Sequence, residues 1–268
     1  MINLITMGYS KMVRSLAFKV GMTVMAIFPV FIVLVSLKNR NAESGPLDGV
    51  YNSGLTMIGL LIGAFVSILV GQDYTEKTIN NKIMAGHSRI TIYLADFIVA
   101  FTGVAIMQVT SMLAASVFAV PLFGMYTKPL GEIFRVELIV LCVLAVYTAV
   151  SLLVTTIVNS KNYAVAASMV LTILIFFSGM MAYQVITDEK ADKALAAEKG
   201  EVYEVPEEDE NIMKVFRVIY DIDPQSQVCV ISEDNFPENA ARIVISDIAA
   251  VTLLTAAGLV NFCRKDIK

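Results

Sequence analysis

Long apolar runs alternate with shorter polar stretches along this chain. Six runs stand out: Val20–Leu37, Gly54–Val70, Ile92–Phe118, Val136–Val158, Ala164–Ile186 and Ile243–Phe262. A hydrocarbon core about 30 Å thick needs roughly 20 apolar residues in a helix. At about 1.5 Å per residue even the shortest run reaches about 25 Å, a shortfall that local thinning or flanking residues absorb. The pattern predicts an all-α integral membrane protein with six transmembrane helices, an N-terminal interfacial helix and an extracellular segment between helices 5 and 6. The expected divisions are an amphipathic arm over 1–19, helices 1–5 over 20–185 with a cytoplasmic loop at 71–91, an acidic outer segment over 186–241, and helix 6 with its tail over 242–268.

The arm reads INLITMGYSKMVRSLAFKV over residues 2–20, with Ile2, Ile5, Tyr9, Met12, Val13, Leu16 and Val20 spaced by threes and fours on one helical face. Lys11, Arg14 and Lys19 fall largely off that face, which suits a helix lying among anionic headgroups. The other reading is a plain extension of the first span. That span is expected to stay in the mature protein. It is too long for a signal core, and no small-x-small cleavage motif precedes the charged KNRN.

Composition agrees with the pattern. Of 268 residues, 57% are hydrophobic and 16% charged, against roughly 25% charged in soluble domains. The net charge of −4 hides an asymmetry, because Ile186 to Ala241 carries fifteen acidic and five basic residues. Lys11, Arg14, Lys19, Lys77, Lys82, Arg89, Lys161, Arg264, Lys265 and Lys268 belong to one set of short segments. Lys38, Arg40, Lys128 and Arg135 belong to the other. The positive-inside rule then puts both termini and the 71–91 loop in the cytoplasm. Of the three cysteines only Cys229 falls outside, so no intrachain disulfide is expected. A free thiol and a Cys229–Cys229 bridge between two copies both stay open.

The stretch GQDYTEKT (71–78) has the first Gly, the Lys and the Thr of a phosphate-binding loop, but Glu76 stands where the second Gly belongs. Its preceding IGAFVSILV is a membrane span and not a strand, and Glu76 adds negative charge where an anion would sit. No nucleotide is expected on this chain. The segment reads instead as a short cytoplasmic helix, opened by Asp73 and Glu76 where the helix dipole favours acids. Ile79, Ile83 and Met84 form its apolar face and Gly86 ends it. A few exposed apolar residues rimmed by charge suggest a docking site. An ordinary solvated connection is the other reading.

This loop, EKTINNKIMAGHSRITIYLADF, resembles that of the ABC-2 type permeases, the membrane subunits of ATP-binding-cassette exporters, whose pattern is similar to GTI..K…G.SR..IY. The arm, six spans with cytoplasmic termini and a large outer segment before the last span fit that family. The departure is Lys77, where the family often has Gly. The resemblance implies a coupling helix resting in a cleft of a separate ATPase subunit, with Asp73, Glu76, Thr78, Asn81, Lys82 and Arg89 making or framing the contact. It implies ATP and Mg on the partner, no catalysis and no cofactor on this chain, and a second copy or a related permease beside it. It implies a bacterial plasma-membrane setting and no nucleic-acid partner.

Other polar residues each carry two readings. Gln108, Thr110 and Ser111, with Thr155 and Thr156, bond between helices or line a substrate path. Asp96 and Asp247 lie about a turn inside their spans, near enough to an interface to reach water, and a packing or interface role is expected of both rather than a proton relay. Gly59 and Gly63 make a G-x-x-x-G. His87 is the only histidine, which excludes any site needing two; it reads as a loop residue beside the docking surface. In the outer segment, Ala191–Lys199 reads as a helix ended by Gly200, and Ile212–Tyr220 as an apolar stretch packing on the membrane mouth or a partner. YDIDPQSQ reads as a turn before a short strand or helix. PEEDEN lacks a calcium loop's alternation. The segment's acidity attracts cations or simply solubilises. The competing functions are an ion-driven secondary transporter, which would need deep charges and broken helices, and a non-transporting scaffold or sensor.

Overall fold

The computed structural model describes residues 1–38, 52–124, 129–158, 160–199, 210–232 and 240–264. Arg40, Tyr51, Lys128, Gly200, Lys265, Lys268 and the 206–209 part of PEEDEN lie outside the described residues. Every regular element described is helical: α1 (Ile2–Arg14), α2 (Leu16–Lys38), α3 (Leu55–Thr75), α4 (Thr78–Met84), α5 (Arg89–Phe123), α6 (Leu130–Val158), α7 (Lys161–Lys199), α8 (Glu210–Ile222), α9 (Pro224–Ser232) and α10 (Ala240–Arg264). The six long apolar helices are α2, α3, α5, α6, α7 and α10, one for each run in the sequence.

The arm is a helix of its own. Ser15 adopts extended backbone (φ −68, ψ 138), and its hydroxyl accepts from the Phe18 N–H at 3.1 Å, capping α2. Span 1 therefore starts at Leu16, four residues before the apolar run. The arm's apolar stripe is divided. Leu4 and Met12 are buried and Ile5 and Tyr9 pack on the core, whereas Ile2, Val13, Leu16 and Val20 remain exposed. Tyr9 Oη and Thr102 Oγ1 lie 3.1 Å apart, joining the arm to α5.

At the centre stands α3, packed mainly against α7 and α6. Gly59, Gly63, Ser67 and Gly71 recur every four residues and so share one face. A β-carbon at Gly59 would come 2.9 Å from the Tyr147 ring, and one at Gly63 would come 3.0 Å from Thr172 Oγ1 and 3.3 Å from the Ser168 carbonyl. At Gly71 it would lie 3.1 Å from the Lys161 Cα. Ser67 donates to Ser168 Oγ at 2.7 Å and accepts from Thr155 Oγ1 at 3.1 Å. Small side chains let helix backbones approach where lipid offers no hydrophobic drive between helices. The G-x-x-x-G is half of this longer stripe.

The segment after span 5 departs from expectation. No break separates Ile186 from Ala191, and α7 runs on for 39 residues, roughly 58 Å at 1.5 Å per residue. The stretch TDEKADKALAAEK is rich in helix formers and holds no Gly or Pro, so leaving the bilayer gives the helix no reason to stop. Glu189 on this extension accepts from Lys193 at 2.6 Å and also pairs with Arg217 of α8. The Tyr183 and Tyr220 rings stack with centroids 6.3 Å apart. Ile212, Val215 and Val218 of α8 stay exposed.

YDIDPQSQ spans the end of α8, a break at Asp223 and the start of α9, a helix and not a strand. Pro224 takes the first helical position, where its missing N–H costs nothing, and Asp223 Oδ1 accepts from the Gln225 N–H at 2.7 Å. This helix start presses on Gly179 of α7, where a β-carbon would come 2.3 Å from Asp223 Oδ1. Gln225, Ser226 and Gln227 are buried, and Tyr147 donates to Gln225 Oε1 at 2.9 Å.

Gly63→Leu should lower the midpoint of thermal unfolding in detergent, by roughly 1–3 kcal/mol of overpacking. Gly131→Ala, where a β-carbon meets nothing within 4 Å, should leave it within about 0.5 kcal/mol.

Candidate functional site

At the end of the bundle that carries the 71–91 loop, four charged side chains from four helices meet. Asp73, on the last turn of α3, accepts from Lys11 of α1 at 2.6 Å through Oδ1 and from Lys82 of α4 at 2.8 Å through Oδ2. Lys82 also reaches Asp96 Oδ1 of α5 at 3.2 Å. Thr78 Oγ1 donates to Asp73 Oδ1 at 2.8 Å, and Lys11 also donates to the Leu69 carbonyl at 2.6 Å. Two ammoniums and two carboxylates make a neutral cluster. Burial by itself would lower the Lys82 pKa, but Asp96 and Asp73 outweigh it and hold the ammonium above its ordinary value. Below that raised value Lys82 stays charged, so on the lysine side the tie holds through neutral pH and is lost as pH rises through it.

The short helix differs from its sequence reading in two ways. Asp73 and Glu76 do not open it: they close α3, and α4 has no acid in its first turn. Its apolar face points inward, with Ile79 buried at 1% and Ile83 packed on the core; only Met84 stands out, at 76% exposed. The outward side of the loop is thus mostly polar, formed by the exposed Glu76, Lys77 and Asn81 around Met84. Glu76 accepts from Gln72 at 2.6 Å. Lys77 sits at φ 54, ψ 22, in the left-handed region. Glycine enters that region freely and a side chain at a cost of about 1–2 kcal/mol, which gives a physical reason for the Gly found in the similar loops.

Arg89 points elsewhere. Its guanidinium donates to the Phe262 and Cys263 carbonyls, at 3.1 and 2.9 Å, at the C-terminus of α10 where the dipole favours a cation. Phe262 itself packs edge-on against Tyr74 of α3 and tilted against Tyr93 of α5. Asp96, of which a packing or interface role is expected, is ion-paired to Lys82 at the loop end. Beside the cluster a cavity of about 440 Å³ opens between α1, α3, α4 and α5, with Leu4, Leu69 and Val99 on its apolar wall and His87 at its edge.

The candidate path residues do not form one line. Thr155 and Thr156 lie near the loop end of α6, where Thr155 bonds Ser67 and the Ser151 carbonyl and Thr156 the Leu153 carbonyl. Gln108, Thr110 and Ser111 lie about five turns along α5. Thr110 returns its hydroxyl to the Ile106 carbonyl at 2.8 Å, whereas Gln108 and Ser111 are buried with unpartnered oxygens. Asp247 is 1% exposed and packs inside the bundle, so the expectation that it reaches water is corrected. Sequence reading also missed Lys11 as a member of the charge cluster and Glu137 as a half-buried carboxylate with a buried, unpartnered Oε1. Glu137 was legible as the one acid in VELIVLC, but a span boundary drawn at Val136 put it at the rim. In α6 it lies two turns in.

Asp73→Asn should leave Lys11 without a carboxylate and Lys82 with Asp96 alone, and destabilise the protein by about 1–3 kcal/mol. Adding Lys82→Gln should cost less than the sum of the singles, by about 1 kcal/mol or more, in a double-mutant cycle of thermal midpoints. Lys77→Gly should raise the midpoint, because relief of the left-handed strain exceeds the glycine's added chain entropy by roughly 0.5–1 kcal/mol.

Residues 4–194 match the family described as ABC-2 family transporter protein. The matched stretch runs from α1 into the extension of α7, so it includes the charge cluster and the loop and ends before α8, α9 and α10. No curated protein matches the chain. Its six membrane-spanning helices and the family match over most of its length agree with the resemblance carried by the loop: the chain belongs to the ABC-2 family of transporters, as a membrane permease subunit of an ABC transporter.

Proposed function

We propose that this permease works as an exporter: a separate ATPase subunit binds ATP and Mg and docks on the exposed side of α4, and its closure is transmitted into the bundle. The observation that carries this reading is the charge cluster. A seven-residue helix is too short to persist by itself, and α4 is held by buried Ile79 and by the Asp73–Lys82–Asp96 ion pairs. A push on α4 therefore displaces α3 and α5 with it, and Lys11 carries the same displacement to the arm. Rigid elements tied in this way switch between two arrangements when a ligand binds one of them better. The exposed Glu76, Asn81 and Met84 are the contacts offered to the ATPase, while Asp73, Thr78, Lys82 and Arg89 frame them from behind. The assembly needs two permeases, either two copies or this chain beside a related one. In a bacterial plasma membrane both termini and the loop face the cytoplasm, and α8 and α9 face out.

Pull-down of the tagged chain from its host in mild detergent should bring along a soluble ATPase with an intact phosphate-binding loop. Glu76→Arg combined with Met84→Asp changes only exposed positions and should cut its recovery at least tenfold without moving the thermal midpoint of the permease. Recovery of no ATPase under several lysis conditions overturns the coupling reading and favours ion-driven transport or a scaffold.

A further inference from the structure

Far from the loop end, two carboxylates lie inside the bundle without a cation. Glu137 of α6 lies beside Gln108, and Asp247 of α10 beside Gln227. No lysine or arginine pairs with either among the described residues. Each keeps one oxygen with no partner, Oε1 of Glu137 and Oδ2 of Asp247. Ionisable groups inside a membrane protein are costly, and an unsatisfied one points to a ligand.

Glu137 has the richer surroundings. Gln108 Oε1 and Ser111 Oγ, one turn apart on α5, are also buried and unpartnered. The backbone of Gly54 closes over Ser111, and a β-carbon there would come 1.9 Å from Ser111 Oγ. The two residues before it, Asn52 and Ser53, add further unpartnered oxygens, Oδ1 and Oγ. Every open atom in this group is an oxygen able to accept, and one belongs to a carboxylate. The complementary ligand is a positively charged donor. We propose that Glu137, Gln108 and Ser111 form a binding site for a primary ammonium group, whose three N–H bonds meet Glu137 Oε1, Gln108 Oε1 and Ser111 Oγ. A hard metal ion fits less well, since it takes about six to eight oxygens. Phe134 and Leu138 flank Glu137 on the exposed side of α6, so an apolar tail on the ligand lies along the helix toward lipid. The ligand class is a cationic amphiphile, either an aminophospholipid or a molecule with a lysine-like amine. Calling it cargo rests on the permease reading; binding itself does not, and it is measured without any ATPase.

The test uses the purified full chain in phosphatidylcholine nanodiscs. Affinities are compared for dodecylammonium and dodecyltrimethylammonium, which share a charge and a tail but differ in N–H donors. The wild type should bind dodecylammonium about tenfold tighter or more, the worth of one or two charge-assisted hydrogen bonds. Glu137→Gln removes a buried charge and should fold at least as well, yet lose that preference. Ser111→Ala should reduce the preference about threefold, and Glu132→Gln, at the exposed start of α6, should leave it unchanged. Equal affinities in the wild type, or a preference that survives Glu137→Gln, would overturn the site. Repeating the measurement with phosphatidylethanolamine in the nanodisc identifies the source. Weakened dodecylammonium binding means that the lipid amine occupies the site, and unchanged binding means that it selects a free amphiphile. An ATPase missing from the pull-down would end the exporter reading and leave this result standing.

Discussion

Asp73 is the residue on which the loop end depends. It is a carboxylate at 6% exposure, and such a charge persists only when it is paired and fully bonded. One lysine would balance it, but two are present, from α1 and α4, and the second brings Asp96 of α5 into the group. The four charges cancel, and each one holds the others in place. Removing any member leaves an odd charge in a partly desolvated site. Three consecutive helices and the distant α1 are thereby fixed relative to one another by a few ångströms of electrostatics, with α3 as the common member.

The same helix is fixed along its length by a different means. Its small-residue face brings backbone against backbone, and the Ser67, Ser168 and Thr155 hydroxyls close a network across three helices. Close packing resists bending and transmits strain, so a displacement at the Asp73 end is carried by α3 as a rod. Arg89 performs a related service for α10, whose last carbonyls it binds. Both ends of the 71–91 loop are therefore anchored to spans, and the loop acts as a clamp across the bundle more than as a flexible connection.

The six spans were legible because a bilayer demands length and apolarity from a single stretch of chain, a local property. What the sequence hid was set by partners distant in the chain. Lys11 meets Asp73 across 62 positions, and no periodicity marks such a pair. Asp73 and Glu76 read as the start of a new helix because acids favour helix starts, but burial and two lysines kept Asp73 on α3. The extension of α7 was cut short because hydropathy detects where the membrane ends and says nothing of where the helix does. Lys77 gave no sign of its left-handed backbone, since only a glycine there would have announced it. At α9, Pro after Asp was a sound signal of a helix start. Its burial was invisible because Gln-Ser-Gln looks like surface until Tyr147 and Gly179 are seen beside it.

Polar groups are divided unequally between the two ends of the molecule. At the loop end the charges of Lys11, Asp73, Lys82 and Asp96 are matched to one another, which gives rigidity, although the Tyr93 hydroxyl there has no partner among the described residues. At the far end Gln108, Ser111, Glu137, Gln227 and Asp247 each keep an oxygen with nothing to bond. Unsatisfied groups in a low-dielectric interior cost stability, and apolar replacements of similar volume would remove that cost. A bundle selected for stability alone would have no use for them. Under the proposed coupling, stiffness lies at the end where an ATPase would push and unmet hydrogen-bonding capacity at the other. A ligand can be gripped and released only where the protein has not already satisfied itself.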